Sequence, residues 1–294
     1  MMDGKRMNIA LLYGTAYAPD DALLALAESL TNKGHNVSLE IWADKNVKWD
    51  SYDAIIIRST WDYFLELDAY RDWLLEMKAA KRPLYNSADL VLWNLEKTYL
   101  LDLESRGVPI VPTCLVKQGD DAAEAIKKSL SQWAEAPYFI IKPTVSAGAY
   151  ETRRIARTDM DDAGLAAISA VHAHSDALVQ PYMAEIEEGE YALVFLNGAF
   201  AYAVHKKPVL GDFRVQTKHG GILTPVDVDA QMVAAGKKVI DVLEDTPLYA
   251  RVDGVVRDGQ FLLMELEINE PGLYDEIFTP GTDMIANVID KIAA

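Results

Sequence analysis

Cysteine is nearly absent from this 294-residue chain: Cys114 stands alone, which excludes an intrachain disulfide and any zinc site built on several thiolates. The 5 histidines are scattered, and no His-Glu-x-x-His spacing occurs. Long apolar runs are missing too. The longest are strand-sized, as in Ala54-Ile55-Ile56-Ile57 before Arg58, far short of the ~20 residues that span a bilayer. No apolar stretch of signal-peptide length follows the basic residues near the start. Basic residues are scarce against acidic ones, 28 Lys and Arg facing 45 Asp and Glu, for a net charge of −17. Nucleic acids and anionic membranes both require a basic face, so neither is expected as a partner. The expectation is a reduced, soluble, cytoplasmic protein in which any bound anion meets a few locally placed cations. Self-association into a homo-oligomer is compatible with this profile.

Several fingerprints are also lacking. There is no Gly-x-Gly-x-x-Gly after a strand, no Gly-x-x-x-x-Gly-Lys-Ser/Thr loop and no Gly-x-Ser-x-Gly elbow. What is present is an ordinary globular composition, half hydrophobic and a quarter charged, on a chain long enough for about two domains. The first ~85 residues alternate strands and helices, a parallel α/β pattern: strands at Asn8–Tyr13, Val37–Ile41 and Tyr52–Ile57, and helices carrying Leu23, Leu26 and Leu30 or Tyr70, Trp73, Leu74 and Met77 on one face. A helical stretch from about Asp89 to Ser105 leads into the breaker Gly107-Val108-Pro109. Two α+β lobes follow. The second opens on a hairpin around Asn197-Gly198, the pair favoured by a type I′ turn, and closes on a second hairpin, Tyr249–Arg257 with Gln260–Ile268.

Polar residues planted in apolar strands carry the chemistry. By period two, Phe261, Leu263, Glu265, Glu267 and Asn269 share one face of the last strand, and Arg251 and Asp253 share one face of its partner. Such an oxygen-rich surface suits a hard cation like Mg²⁺, although acids equally decorate a solvated strand face. Lys142 ends the strand Tyr138–Ile141 and is followed by a small-residue loop, Pro143 to Ala149. That loop reads either as a flap whose N–H groups approach phosphates or as a surface excursion. Gln180-Pro181-Tyr182-Met183, before Glu187 and Glu190, reads as a linker between lobes, with or without backbone groups turned to a ligand. Gly211 to Gln216 and His219-Gly220-Gly221 read as an ordered loop that either points Arg214 inward or runs over the surface. Cys114 is expected as a small buried hydrophobe.

In this order the motifs resemble the ATP-grasp superfamily, which includes glutathione synthetase and D-alanine–D-alanine ligase. The resemblance covers essentially the whole chain. Arg58-Ser59-Thr60-Trp61-Asp62-Tyr63, Trp93-Asn94 with Lys97, Val108 to Thr113, Gly211 to Gln216, and Glu265-Leu266-Glu267 leading to Glu270-Pro271 are more specifically similar to the O-ureido-serine cyclo-ligase branch of cycloserine biosynthesis. One departure is His205-Lys206, where that branch carries Arg-Lys. The resemblance implies an α/β and α+β architecture: an N-terminal parallel α/β domain (1–90), a central lobe (91–183) and a C-terminal lobe (184–294), the two lobes clasping ATP. It further implies that Lys97 and Lys142 contact phosphates, that Gln180, Tyr182 and Met183 line the adenine pocket, and that Glu190 or Glu187 holds the ribose. Lys206 joins the nucleotide set. Asp253, Glu267 and Asn269 would carry two Mg²⁺ ions, with Mn²⁺ an acceptable substitute. Arg214 and Arg251, with Lys142, would face the transferring phosphoryl group, and Arg58 to Tyr63 would hold a small amino-acid-like substrate.

The implied activity is ATP-dependent carboxylate–nitrogen ligation through an acyl phosphate, either intramolecular or between two amino acids. A kinase that stops at phosphoryl transfer and a non-catalytic nucleotide-binding module are the alternatives. A geometric condition attaches to the metal set. A strict two-residue turn at Asp258-Gly259 with an unbroken ladder puts Asp253 opposite Met264, on the wrong face for Glu267. A three-residue turn over Asp258-Gly259-Gln260, or a β-bulge, puts it opposite Glu265.

Overall fold

The computed structural model describes residues 6–209, 215 and 220–293. The N-terminal unit runs β1 (Asn8–Tyr13), α1 (Asp21–Asn32), β2 (Asn36–Ile41), β3 (Ala54–Ser59), α2 (Leu67–Ala79) and β4 (Leu84–Tyr85), and its strands form a parallel sheet ordered β2-β1-β3-β4. Continuous apolar runs mark β1 and β3 as central strands covered on both faces. Asp20 caps α1 by accepting from the Leu23 amide. Tyr70, Trp73, Leu74 and Met77 are the buried stripe of α2, as their spacing predicts. β3 lies two residues later than the sequence suggests, because Tyr13 pairs with Ser59 across a slip in the ladder. Arg58 and Ser59 are therefore buried at a strand end instead of standing in a loop.

The single helix expected around 89–105 is two: α3 (Ala88–Asn94) and α4 (Tyr99–Ser105). The break has a tertiary cause. The Lys97 amide donates to Thr144 O at 2.7 Å, outside its own helix, and the next amides form tight turns, Leu100 to Lys97 O and Leu101 to Thr98 O. Beyond it lies the second unit: β5 (Cys114–Val116), α5 (Ala122–Gln132), β6 (Tyr138–Pro143), β7 (Arg153–Ala156), α6 (Leu165–Val171) and β8 (Ala177–Pro181). Its antiparallel sheet is ordered β5-β8-β6-β7. Cys114 is half-buried against this core rather than fully enclosed as expected.

The third unit contains β9 (Glu190–Leu196), β10 (Ala199–Lys207), β11 (Ile222–Val226), α7 (Ala230–Asp241), β12 (Tyr249–Arg257), β13 (Gln260–Glu267) and α8 (Gly281–Asp290). Its five strands are ordered β11-β10-β9-β12-β13. Asn197 and Gly198 both take left-handed φ, 48° and 73°, as a type I′ turn requires. α8 returns to the first unit, where Ile285, Ala286 and Ile289 join Leu23, Leu26 and Leu30 of α1 in one core.

The last hairpin resolves the condition set by the sequence. Arg257 pairs with Gln260, so the turn has two residues and not three. Asp253 nevertheless opposes Glu265, because the register shifts between Asp253 and Gly254 and leaves Met264 as the extra residue of a bulge. The bulge corrects the simple alternation. Phe261 and Leu263 join Leu266 and Ile268 in the core, while Met264, Glu265, Glu267 and Asn269 face a cavity. A three-residue turn without a bulge would have kept Phe261 and Leu263 on the acidic face, forfeiting roughly 1.5–3 kcal/mol of transfer free energy for each side chain. Gly254 permits the close approach: a Cβ there would lie 2.4 Å from Leu262 O and 2.5 Å from the Phe261 ring.

Candidate active site

Where the three sheets meet, a cavity of about 890 Å³ opens. β9 and β10 contribute Glu190 and Lys206, β12 contributes Arg251 and Asp253, and β13 with the residues after it contributes Glu265, Glu267, Asn269 and Glu270. The second unit adds Ile140, Lys142, Gln180 and Met183, with Ser146 to Tyr150 of the small-residue loop. Lys97 enters from the α3–α4 break, and Trp61, Tyr63 and Phe64 from the N-terminal unit.

Most of the cavity's charges are interlocked. Lys206 Nζ donates to Asp253 Oδ2 at 2.7 Å and pairs with Glu190. Arg251 Nε donates to Asp253 Oδ1 at 2.9 Å, its Nη1 to Gly272 O at 2.7 Å, and its Nη2 to Glu267. Lys97 pairs with Glu265 at 3.1 Å and donates to Ser146 O at 2.6 Å. Burial alone would raise the Asp253 and Glu265 carboxyls, but Arg251 and Lys206 in one case, and Lys97 and Lys142 in the other, hold both below the usual range. Burial outweighs Lys206 at Glu190, which is raised. Glu267 is pushed up to about 7 by burial, with Glu265 and Asp253 adding to the shift against Arg251. Burial, then Glu267, pushes Glu270 up to about 8. Lys142 is lowered, chiefly by burial.

Of the residues singled out in the sequence, the cavity brings together Trp61, Tyr63, Lys97, Lys142, Gln180, Met183, Glu190, Lys206, Arg251, Asp253, Glu267 and Asn269. Others stand apart. Tyr182 does not line the cavity, and its amide is occupied by Tyr138 O at 2.9 Å. Glu187 is exposed outside it, so Glu190 alone of the two acids faces in. Arg58, Ser59, Thr60 and Asp62 lie behind the wall because β3 carries its first two past the expected end. Arg58 Nη1 donates to Pro271 O at 3.2 Å, Ser59 Oγ to Asp20 at 2.5 Å, and Asp62 accepts from Thr15 Oγ1 and the Ala16 amide. These bonds fix the loop that presents Trp61 and Tyr63. His205 does not line the cavity; its ring lies 4.7 Å from that of Tyr191. Arg214 lies outside the described residues, as do the rest of Gly211–Gln216 except Val215, and His219.

Glu265, Glu270 and Tyr274 also line the cavity, although sequence reasoning assigns none of them a role of its own. Glu265 was legible, since it shares the strand face of Glu267, but its partner Lys97 comes from a helix break. Glu270 was noted only as part of a motif. Tyr274, at φ 58° with Arg251 5.0 Å above its ring, has no local sequence signal.

Among the described residues no three His, Cys, Asp or Glu side chains converge as a ready-made metal site. The donor set still fits a hard divalent cation when Asn269 is included. Asn269 Oδ1 accepts from Tyr70 at 2.7 Å while its buried Nδ2 has no partner. Turning the amide end for end satisfies Nδ2 on the same hydroxyl and frees its oxygen for a ligand in the cavity that Asp253 and Glu267 also line.

Comparison with known proteins agrees with this geometry. Residues 9–86 match the N-terminal domain of D-cycloserine synthetase DcsG, and residues 106–278 match the ATP-grasp domain of prokaryotic glutathione synthetase. The cycloserine biosynthesis protein DcsG of Streptomyces lavendulae is 31% identical over 84% of this chain and 86% of its own length. Glutathione synthetase of Rhodopseudomonas palustris is 23% identical over 83% of this chain and 74% of its own. A crystal structure of D-cycloserine synthetase DcsG superposes with a TM-score of 0.88 at 25% identity, covering 98% of this chain and 100% of that one. The D-alanine–D-alanine ligase of Bacillus anthracis complexed with ATP has a TM-score of 0.69 at 13% identity, covering 98% of this chain and 97% of its own. A parallel α/β unit, two antiparallel sheets and a cavity lined from all three, matched in this way along the chain, identify it as a member of the ATP-grasp family of enzymes, ligases that form carbon–nitrogen bonds with consumption of ATP.

Proposed function

We propose that this ligase activates the carboxylate of a small amino-acid-like molecule as an acyl phosphate and closes it onto a nitrogen of the same molecule. One observation carries the reading. In a chain of net charge −17, Lys97, Lys142, Lys206 and Arg251 converge on one cavity with five carboxylates and an aromatic wall. In this reading residues 1–90 serve the substrate side, and the units 91–183 and 184–294 clasp the nucleotide.

Gln180 and Met183 line the adenine end and Glu190 takes the ribose hydroxyls. Lys97 and Lys142 neutralise phosphate oxygens, with Lys206 holding Glu190 and Asp253 in place. Asp253, Glu267 and Asn269 would hold Mg²⁺, in two ions, which when bound neutralises charge on the phosphates. Arg251, fixed by Asp253 and Gly272, faces the group in transfer. Arg214, outside the described residues, is proposed to do the same. A carboxylate oxygen of the substrate attacks the γ-phosphorus and the bond to the β-phosphate oxygen breaks, releasing ADP. The nitrogen lone pair then attacks the acyl carbon, phosphate leaves with the C–O bonding pair, and the nitrogen gives up its proton to the departing phosphate. The cavity cations carry the charge on the equatorial oxygens throughout. No nucleophilic side chain is needed, in keeping with the half-buried Cys114.

Ring closure within one molecule is favoured by the likeness to a cycloserine biosynthesis protein along 84% of the chain. Joining two amino acids is the second reading, because the same cavity chemistry serves both. Non-catalytic nucleotide binding and bare phosphoryl transfer are disfavoured by the match to a ligase family. Incubation with ATP, Mg²⁺ and O-ureido-serine, in parallel with a panel of amino-acid pairs, tests the proposal through phosphate release and product mass. A cyclised product supports it, a dipeptide selects the second reading, and ATP binding without phosphate release on every substrate overturns both.

A further inference from the structure

Nine charged side chains line the cavity among the described residues, and seven are tied to one another: Lys97 to Glu265, Lys206 to Glu190 and Asp253, Arg251 to Asp253 and Glu267. The other two are Lys142, given above to phosphate, and Glu270. No ion pair among the described residues engages the Glu270 carboxylate, although its neighbour in sequence, Asn269, and nearby Glu267 belong to the site.

The turn that carries Glu270 is held from the opposite unit. Trp61 Nε1 donates to Glu270 O at 3.0 Å and Arg58 Nη1 to Pro271 O at 3.2 Å. The loop that grips the turn also supplies ring faces, for Trp61 and Tyr63 line the same cavity and Tyr17 stands edge-on to Trp61 at 6.5 Å. A carboxylate with no ion-pair partner among the described residues, in a cavity lined by aromatic rings and fixed through its backbone, is the pattern that receives an organic ammonium. A divalent metal ion gains little from ring faces and takes six or more oxygens.

We propose that Glu270, walled by Trp61 and Tyr63, receives the protonated α-amine of the substrate, making a free ammonium group the feature by which this ligase selects its amino-acid-like molecule. The proposal rests on the ligase reading above, and it gives a purpose to the buried Arg58. Arg58 does not reach the cavity; it positions the turn from behind.

The test uses the whole protein with Mg²⁺ and a non-hydrolysable ATP analogue, and two probes that differ only in the amine: serine and 3-hydroxypropanoate. Binding is read by thermal shift and calorimetry, which need no turnover. Wild type is expected to bind serine at least about 10-fold more tightly than the deaminated probe, and Glu270→Gln to lose that preference, since a hydrogen bond to a charged partner contributes about 10- to 100-fold. The fold of Glu270→Gln is checked by its unliganded melting temperature, and the variant keeps the backbone bond to Trp61. Arg58→Lys, which keeps the charge but not the reach to Pro271, is expected to weaken serine binding by a smaller factor without altering ATP-analogue affinity. Equal binding of the two probes by wild type, preserved preference in Glu270→Gln, or a loss in Glu270→Gln that falls on Mg²⁺ affinity instead each overturns the proposal. If serine binds through Glu270 but O-ureido-serine and the amino-acid pairs release no phosphate, the amine site stands and the acyl-phosphate reading on these substrates fails.

Discussion

Lys206, Asp253 and Arg251 sit on strands of one sheet and neutralise one another, whereas Lys142, reaching the same cavity from the antiparallel sheet of the second unit, has no ion pair among the described residues. Both groups are buried, yet the physics differs. The first is a network in which each charge offsets the desolvation of its neighbour. For the second, burial outweighs the attraction of Glu265 and Glu190, visible in its lowered pKa. An interlocked set holds geometry in readiness; a cation at a strand end whose burial is only partly offset is kept at a cost to stability, which is the pattern of a group retained for a ligand.

Breaking the network at its centre should have the largest effect. Asp253→Ala leaves Lys206 and Arg251 buried with their common partner gone. Turnover should fall by at least about 10³, and stability by about 3–5 kcal/mol. The melting temperature is the deciding readout; an unchanged value would mean the three charges are not interlocked. Lys142→Ala should separate the two kinds of charge. Turnover should drop by roughly 10²–10³, while the melting temperature stays level or rises. The sign follows from the lowered pKa: the folded state binds the proton less well than the unfolded chain. The penalty is present in full below the folded pKa and disappears as pH rises through it toward the ordinary lysine range. The stability gain of the variant should therefore be present at neutral pH and shrink in alkaline buffer, which a melting series across pH measures. Gly254→Ala should act on the network indirectly, costing about 1–3 kcal/mol in chemical denaturation through the clash with Leu262 O. Glu187→Ala, exposed and outside the cavity, should change stability by less than about 0.5 kcal/mol and leave the KM for ATP unmoved; a raised KM would restore Glu187 to the nucleotide site.

Much of this site was legible because strand periodicity is a local property. Arg251 with Asp253, and Glu267 with Asn269, fall on shared faces by counting in twos, and Lys142 announces itself as a cation closing an apolar strand. Asn197-Gly198 gave its turn for the same reason. What could not be read depends on partners distant in sequence. The helix break at Lys97 follows from a bond to Thr144, the burial of Arg58 and Ser59 from the pairing of Tyr13, and the bulge at Met264 from competition between burying Phe261 and keeping Glu265 opposite Asp253. Glu187 and Glu190 look alike in the chain, and only the path of β9 selects between them.

The slip at Met264 has a practical consequence for anyone who wishes to alter this protein. The hairpin tip, Asp258-Gly259, is separated from the cavity residues by the bulge, and Gly259 has open space where a side chain would start. A short tag or a new chain terminus introduced there lies beyond the bulge, away from Glu265 and Asp253. Of the two two-residue hairpin turns among the described residues, this is the one where the chain can be handled from outside; a Cβ at Gly198, in the other, would lie 2.9 Å from Thr246.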